Sequence, residues 1–226
     1  MIKIGEFRVM KIIYLIRHSE PINKNELNFL DSNDNQVKNQ LIPLSLNGEK
    51  LAKALASDMS NLNIKSIWCS TYERAISTAK YIAKNNNLRI NILSKFNERK
   101  LGNSNNFDDN FWLVQLQNKK AKAPDGESRQ MVTTRMLSGI YEVLEKMKDN
   151  EISVIISHAT AITFLLMNWC ELKHAELKGK KRWLQFNGKD VINDSFRTPE
   201  IFKLVFNKDE LIDVCRIAKG GEFNGF

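Results

Sequence analysis

The sequence contains few cysteines, few histidines and no long apolar run. Its three cysteines, Cys69, Cys170 and Cys215, are odd in number and widely spaced, and no Cys-x-x-Cys pair occurs. This distribution argues against a disulfide framework and against a zinc site. The three histidines show neither His-x-x-x-His nor His-Glu-x-x-His spacing. We therefore expect neither a metal nor a cofactor.

The lack of long apolar runs bears on membranes and secretion. No apolar stretch approaches the roughly 18–20 residues that a helix needs to cross a bilayer. The first ten residues lack the apolar core and the small-residue cleavage site of a signal peptide. We therefore expect no membrane contact and a cytoplasmic location. Residues 1–9 are compatible with an extension before a start at Met10.

The charge of the chain is basic. It has 34 Lys and Arg against 26 Asp and Glu, a formal net charge of +8, and a pI near 9.3. A basic balance is compatible with nucleic-acid binding. The lysines are scattered, however, except in the run 178–182, so a solvated basic surface is the better interpretation. We expect no nucleic-acid partner, although a positive field would help to collect phosphorylated small molecules. The oligomeric state stays open.

Apolar periodicity predicts strands that alternate with helices. Short runs rich in Ile and Val are typical of strands buried on both faces of a parallel sheet. Their order predicts one α/β domain over residues 1–226, with a doubly wound, mostly parallel sheet and helices on both faces. The predicted strands cover 10–16, 64–69, 88–93 and 152–157, the helices cover 48–60, 71–85, 107–118, 128–148 and 160–171, and 201–206 with 211–217 form a hairpin with a four-residue turn.

Three segments lack a clear periodic pattern. Residues 21–43 form a polar, Asn-rich loop, and residues 103–125 form a lid-like segment. We expect 22–42 and 103–125 to supply walls of a ligand pocket. The sequence assigns no role to the lysine-rich insertion over 173–200, and pairing of subunits or cover of the site are the open alternatives. At the start of the helix over 71–85, Ser70 or Thr71 is the expected N-cap.

Two of the three histidines follow directly on predicted strands. His18, preceded by Arg17, ends the first strand, and His158 ends the fourth. Open α/β sheets bind ligands outside the carboxyl edge of their strands, so both imidazoles should face one pocket. A lone histidine at a strand end is more often a hydrogen-bonded structural residue, and that alternative applies to each. The matched positions, with Arg17 alongside, favour catalysis on an anion.

Two more charged residues fall at the same predicted edge. Arg74 lies in the first turn of a helix, where backbone N–H groups also attract anions. Glu98 follows the third strand among basic neighbours. The alternatives are a surface arginine and a surface carboxylate paired with Arg99 or Lys100. Arginine matches phosphate oxygens, and a neutral imidazole is a competent nucleophile toward phosphorus.

In this order the motifs resemble those of the histidine phosphatase superfamily, whose fold is that of the cofactor-dependent phosphoglycerate mutases. The resemblance runs from residue 10 to about residue 170. The Arg-His pair alone is a modest signal, whereas the combination is highly specific. The matching pieces are Arg17-His18-Ser19-Glu20, 44–48 (Leu-Ser-Leu-Asn-Gly), 70–79 (Ser-Thr-Tyr-Glu-Arg-Ala-Ile-Ser-Thr-Ala), Asn97-Glu98-Arg99-x-x-Gly102, Gly126-Glu127-Ser128 and Ser157-His158-Ala159.

The resemblance implies roles for the matching residues. His18 would be the nucleophile that becomes phosphorylated, and Glu98 would be the proton donor. A related branch places an aspartate directly after the second histidine, where this chain has Ala159, which cannot act as an acid. Three residues would hold the phosphoryl oxygens (Arg17, Arg74 and His158), and three more would contact the substrate (Asn23, Arg99 and Ala159).

Some positions depart from the family pattern. Ser19 and Ala159 each stand where glycine is common, and Ala159 would narrow the pocket. Asn23 lies one residue closer to His18 than in the mutases. These departures put the finer contacts with substrate in doubt but leave the five predicted catalytic positions intact, namely Arg17, His18, Arg74, Glu98 and His158.

The resulting hypothesis is a metal-independent phosphatase that hydrolyses small phosphomonoesters through a phosphohistidine. Mutase-type phosphotransfer is the alternative. The mutases carry a substantial insertion after the acid motif, whereas only residues 103–125 lie between Gly102 and Gly126 here, and a compact lid favours hydrolysis. A non-catalytic phospho-ligand binding module is a further alternative, although such proteins usually lack the nucleophile or an arginine. The identity of the phosphoester stays open.

Overall fold

The computed structural model describes residues 10–23, 35–102, 110–218, 221 and 223. The expected extension over 1–9 and the first part of the lid-like segment lie outside this range. The strands are β1 (Met10–Arg17), β2 (Ile64–Cys69), β3 (Ile90–Ile92), β4 (Ile152–Ser157), β5 (Glu171–Glu176), β6 (Lys181–Phe186), β7 (Lys189–Asp194), β8 (Glu200–Asn207) and β9 (Glu210–Arg216). The helices are α1 (Asn35–Leu41), α2 (Leu46–Asp58), α3 (Glu73–Asn86), α4 (Asn110–Gln117), α5 (Arg129–Lys146) and α6 (Ala159–Leu166).

A six-stranded sheet with the order β3-β2-β4-β1-β8-β9 organises the fold. The first four strands in this order are parallel, with Arg17 of β1 opposite Ser157 of β4. Strand β8 runs antiparallel to β1 and pairs Glu200 with Arg17, and β9 completes the hairpin. The carboxyl ends of β1, β2, β3 and β4 therefore meet at one edge of the sheet, as expected for ligand binding.

Helices cover both faces of the sheet, which confirms the predicted α/β class. Strand β1 shows why its apolar run does not alternate. Ile13 and Leu15 pack into the layer of α4, α5 and α6, whereas Tyr14 and Ile16 pack into the layer of α2 and α3. All four side chains are buried. Among the described residues, no helix is long and apolar enough to span a bilayer.

Helix starts follow local capping chemistry, with one correction. Ser45 and Ser128 accept hydrogen bonds from backbone N–H groups of α2 and α5, which satisfies donors that the first turn leaves free. The prediction that Ser70 or Thr71 caps α3 is wrong, because the N-cap is Tyr72 and makes no side-chain cap bond. The Ser70 hydroxyl instead accepts from the N–H of Tyr72 and contacts His158.

Several predicted boundaries shift. The loop predicted over 21–43 contains α1, the third strand is only three residues long, and α6 ends at Leu166 rather than near 171. The hairpin turn has two residues, Lys208 and Asp209, instead of four. Lys208 adopts φ 55°, and the favoured two-residue hairpin turns have a positive φ at this first central residue. The strands pair up to Asn207 and Glu210.

The insertion predicted without a role is largely a second sheet. Its order is β5-β6-β7, with antiparallel pairing throughout. Four of its apolar side chains, Leu184, Phe186, Val191 and Ile192, join the core layer of α4, α5 and α6. The β5–β6 connection, residues 177–180, extends toward the carboxyl edge of the large sheet, where Lys180 lines a cavity.

Candidate active site

The two strand-end histidines meet at the carboxyl edge of the sheet. The ring centroids of His18 and His158 are 5.0 Å apart, with the rings tilted. Both are buried, with 5% and 0% of their surface exposed. His18 follows β1, and His158 is the N-cap of α6 directly after β4. The hypothesis that the imidazoles share one site is therefore supported by their geometry.

The hydrogen bonds of His18 define its protonation. Its Nδ1 lies 2.7 Å from the carbonyl oxygen of Ser19. A carbonyl only accepts, so Nδ1 carries the proton and Nε2 keeps a lone pair. Burial, followed by Arg74 and Arg17, lowers the pKa of His18 well below its usual 6.5, and the Ser19 carbonyl only partly opposes this. The imidazole is therefore neutral near pH 7, with Nε2 available.

Arg74 lies against that nitrogen. It is the second residue of α3 and is only 5% exposed. Its Nε donates to Nε2 of His18 at 3.1 Å, and its Nη1 donates to the carbonyl of Asn39 at 2.5 Å. The guanidinium also lies 4.8 Å from the ring centroid of Tyr72. Burial lowers the pKa of Arg74 to about 10, which leaves the group cationic at neutral pH.

Arg17 is held from the other side of the cluster. Its Nη1 donates to the carbonyl oxygens of Phe196 and Arg197, both at 3.1 Å. Burial lowers its pKa, while Glu98 and Glu200 oppose that shift. Its Nε is buried without a hydrogen-bond partner. Buried donors normally find partners, so this N–H is suited to an anion that enters the site.

His158 lies behind His18 rather than in the cavity wall. Its Nε2 is 2.7 Å from the hydroxyl oxygen of Ser70, and the ring of Tyr72 packs edge-on at a centroid distance of 4.7 Å. Its Nδ1 is buried without a partner. Burial, and then the charge of Arg74, lower the pKa of His158 well below 6.5. A direct grip on a phosphoryl group thus requires Nδ1 to become accessible.

Glu98 occupies the N-terminus of α6. Its carboxylate oxygens accept from the backbone N–H groups of Arg99 at 2.7 Å, Ala161 at 2.9 Å and Thr160 at 3.2 Å. A helix N-terminus stabilises negative charge, and here it holds the protein's own carboxylate.

Arg135 fixes the loop that carries Glu98, a role that the sequence analysis missed. Its guanidinium donates to the carbonyls of Lys95 and Asn97 at 2.8 Å and of Glu98 at 3.1 Å. It also forms an ion pair with Glu127 at 2.7 Å. Arg135 lies on α5, far along the chain from the acid motif, and its helical position gives no sequence signal of this contact.

Ser19, which replaces a common glycine, is accommodated by its neighbours. Its hydroxyl donates to the Gly48 carbonyl at 2.7 Å, and its N–H donates to the Thr78 hydroxyl at 2.9 Å. Gly48 lies so close to the chain after β1 that an added Cβ would be 2.0 Å from the carbonyl oxygen of Glu20. The segment after His18 is thus held between α2 and α3.

A cavity of about 330 Å³ opens over His18. Arg99 lines it as predicted, whereas Asn23 and Ala159 are absent from its described walls, and Thr160 takes the place expected for Ala159. The expected wall segment 22–42 contributes, but none of residues 110–125 does. The described lining residues are Arg17, His18, Pro21, Ile22, Asn39, Ile42, Arg74, Glu98, Arg99, Leu101, Thr160 and Lys180.

Residues 110–125 act on the cavity indirectly, through Gln115. The Arg99 guanidinium donates to the side-chain oxygen of Gln115. Gln115 is fully buried and donates in turn to the carbonyls of Ala121 and Glu127, at 2.8 and 2.9 Å. Thr160 and Lys180 line the cavity without having been predicted, and Asn39 lies in the predicted wall segment 22–42 without having been named as a site residue. None of them belongs to a motif, so only the fold brings them to the site.

The family comparison agrees with these motifs. The profile of the histidine phosphatase superfamily, branch 1, matches residues 13–182. The chain therefore belongs to this superfamily, which confirms the resemblance noted from the sequence. Membership supports a phosphatase or phosphotransfer activity. A search of curated proteins gave no significant match.

Solved structures share the fold at low identity. A mycobacterial glucosyl-3-phosphoglycerate phosphatase aligns with TM-score 0.62 and 17% identity over 92% of this chain and 97% of its own. YhfR of Bacillus stearothermophilus aligns with TM-score 0.64 and 16% identity over 95% of this chain and 98% of its own. Phosphoglycerate mutase from Bacillus anthracis aligns with TM-score 0.62 and 16% identity over 94% of this chain and 93% of its own. These likenesses confirm the predicted phosphoglycerate mutase-like fold and say nothing about the particular reaction.

Proposed function

We propose that this protein hydrolyses small phosphomonoesters without a metal, through a phosphohistidine at His18. The observation that carries the proposal is the 2.7 Å contact between Nδ1 of His18 and the Ser19 carbonyl. It leaves Nε2 with a lone pair in a cationic cavity, as a nucleophile toward phosphorus requires. The alternative of a lone structural histidine would not need the arginines on either side.

In the first step Nε2 of His18 attacks phosphorus and the bond to the ester oxygen breaks. Charge develops on the equatorial oxygens, where fixed cations stabilise it. Arg17 offers its unpartnered Nε–H, and the Nε–H of Arg74 moves from His18 to a phosphoryl oxygen. Glu98 donates a proton to the leaving alkoxide as the P–O bond breaks.

In the second step water attacks the phosphohistidine. The Glu98 carboxylate takes a proton from that water, the P–N bond breaks, and inorganic phosphate leaves with the electron pair returned to Nε2. The carboxylate that served as acid thus acts as base, and one cycle restores every group. Water as acceptor gives a phosphatase, whereas a second alcohol in its place would give a mutase.

The test is hydrolysis of p-nitrophenyl phosphate in excess EDTA. The wild type should turn over, His18→Ala should not, and His174→Ala, at the exposed third histidine, should retain activity. Rapid acid-free quenching during turnover of a ³²P-labelled ester should trap an acid-labile, base-stable phosphoprotein in the wild type only. Full activity of His18→Ala, or an absolute requirement for added metal, would overturn the proposal.

A further inference from the structure

Arg17 is oriented by one short connection of the chain. Its Nη1 donates to two backbone carbonyl oxygens, those of Phe196 and Arg197, each at 3.1 Å. An Nη1 carries two N–H groups, so these two acceptors account for both and fix the direction of the guanidinium. Residues 195–199, which connect β7 to β8, therefore set where the unpartnered Nε–H of Arg17 points.

Glu200 holds that connection at its end. It is the first residue of β8 and is only 1% exposed. Its Oε2 accepts from the backbone N–H of Arg197 at 2.9 Å, and its Oε1 accepts from Nη2 of the same residue at 3.0 Å. The carboxylate thus binds the residue whose carbonyl oxygen binds Arg17.

Arg216, the last residue of β9, joins the two ends of the connection. Its Nε donates to Oε1 of Glu200 at 2.8 Å and its Nη2 donates to Oε2 at 2.7 Å, which is the two-point pairing of a planar fork with a carboxylate. Its Nη1 donates to Asp194 at 2.6 Å, and its Nη2 also reaches the carbonyl oxygen of Ser195 at 3.4 Å. Asp194 and Glu200 lie on either side of residues 195–199, so one guanidinium fixes both ends.

Stability alone does not account for a carboxylate in this place. A buried ion pair contributes little net stability, because the desolvation of the two charges offsets their attraction. Glu200 is not among the described residues that line the cavity, so it is not placed to touch a substrate. It does lie opposite Arg17 in the pairing of β1 with β8. Burial lowers the pKa of Arg17, whereas the charges of Glu98 and Glu200 raise it.

We propose that Glu200 is a positioning residue of the phosphoryl site, which orients Arg17 through the connection between β7 and β8. This inference rests on the proposed hydrolysis and adds to it a residue that does not touch the substrate. The family match ends at residue 182, so Glu200 lies beyond the segment by which the family is recognised.

The experiment is a double-mutant cycle on kcat/KM for p-nitrophenyl phosphate. Glu200→Gln keeps the size of the side chain but removes the charge that holds two guanidinium groups. It should lower kcat/KM by roughly 10- to 100-fold, because a small displacement of a group that binds the transition state is costly. In the Arg17→Ala background the same substitution should change kcat/KM by less than about twofold, since the group that Glu200 orients is gone. A merely structural role would cost the same factor in both backgrounds.

Two controls separate this coupling from a general loss of structure. Asp194→Asn removes only the exposed partner of Arg216 and should leave kcat/KM within about twofold of the wild type. Glu127→Gln breaks another partly buried ion pair, the one with Arg135. It does not act on Arg17, so its effect on kcat/KM should be equal in the wild-type and Arg17→Ala backgrounds.

A second variant and a second measurement complete the test. Arg216→Lys keeps the charge but loses the two-point pairing with Glu200, and it should show the same dependence on Arg17 even if Glu200→Gln does not fold. The same cycle on the Kd of orthovanadate, measured by calorimetry, requires no turnover. Equal losses in both backgrounds, or wild-type kcat/KM in Glu200→Gln, would overturn the positioning role while hydrolysis stands. A wild type that neither hydrolyses p-nitrophenyl phosphate nor binds vanadate would overturn the proposed function itself.

Discussion

The Nδ1 atom of His18 lies 2.7 Å from the carbonyl oxygen of Ser19, the next residue in the chain. This bond uses the backbone to select one tautomer, so no carboxylate is needed to orient the ring. His18 is buried among cationic side chains and is neutral there. His158, 5.0 Å away, is buried in the same way. Because both imidazoles are buried and neutral, the free energy of unfolding should depend on pH.

Folding stability should fall as the pH drops below 6.5. Burial first, and then nearby arginines, lower the pKa of both His18 and His158 well below 6.5. Below pH 6.5 the unfolded chain binds protons that the folded chain does not, so stability decreases toward the lowered pKa values. The slope for two such groups is up to about 2.7 kcal/mol per pH unit. Urea unfolding at pH 7.5, 6.5 and 5.5 measures it.

The variant His158→Gln should reduce this pH slope to about half, because one of the two groups no longer titrates. His174→Gln, at the exposed histidine, is the control and should keep the wild-type slope. An unfolding free energy that is constant from pH 7.5 to 5.5 would contradict the neutral buried pair. Work above pH 5.5 keeps the carboxylates Glu127 and Glu200 ionised, since hydrogen bonds and arginines lower their pKa.

The sequence predicts the parts of this structure that local patterns specify. Strand β4 matches its predicted bounds because the run 152–157 is apolar and buried on both faces. Helix α5 starts after the predicted Ser128 because a serine hydroxyl caps it. His18 and His158 meet because parallel strands bring their carboxyl ends to one edge. Each of these inferences needs only a few neighbouring residues.

Contacts that join distant segments could not be predicted. Asn39 reaches Arg74 from a short polar helix that reads as loop, and Lys180 enters from a sheet whose strands expose most of their side chains. The Glu98 carboxylate was expected at the sheet edge, but its bonds to α6 depend on where β4 ends relative to the loop after β3. Such relations are set by tertiary packing and leave no periodic signal.

Removal of Arg74 should damage catalysis far more than folding. Arg74→Ala deletes the donor at Nε2 of His18 and should lower kcat on p-nitrophenyl phosphate by on the order of 10²–10³. Arg74→Lys keeps the charge but loses the planar fork, so it should recover only part of the activity. Steady-state kinetics and thermal melts measure both effects. The control is Arg89→Ala, because Arg89 is an exposed arginine between α3 and β3. Wild-type kcat in Arg74→Ala would show that the arginine has no role at the phosphoryl group.

Glu98 has two roles to separate, since it caps α6 and is the proposed acid. Glu98→Gln keeps the size of the side chain but turns an amide NH₂ toward backbone donors that the carboxylate now accepts from. We expect a stability loss of about 1–2 kcal/mol, the usual cost of a lost cap bond. Thermal or urea unfolding measures this part, and Ser128→Ala, which removes the cap of α5 instead, is its matched control.

The catalytic role of Glu98 should appear as a dependence on the leaving group. An alkoxide must be protonated as the P–O bond breaks, whereas a nitrophenolate leaves readily without help. Glu98→Gln should therefore reduce kcat/KM for alkyl phosphates much more than for p-nitrophenyl phosphate, while Ser128→Ala should leave the ratio between the two substrates unchanged. If Glu98 only caps the helix, kcat/KM for both substrates will fall by the same modest factor in Glu98→Gln. Any variant of equal stability would show the same equal fall. The proton would then have to come from another group, and Glu20, which accepts from Ser45 and Asn47 just after His18, would be the next to substitute.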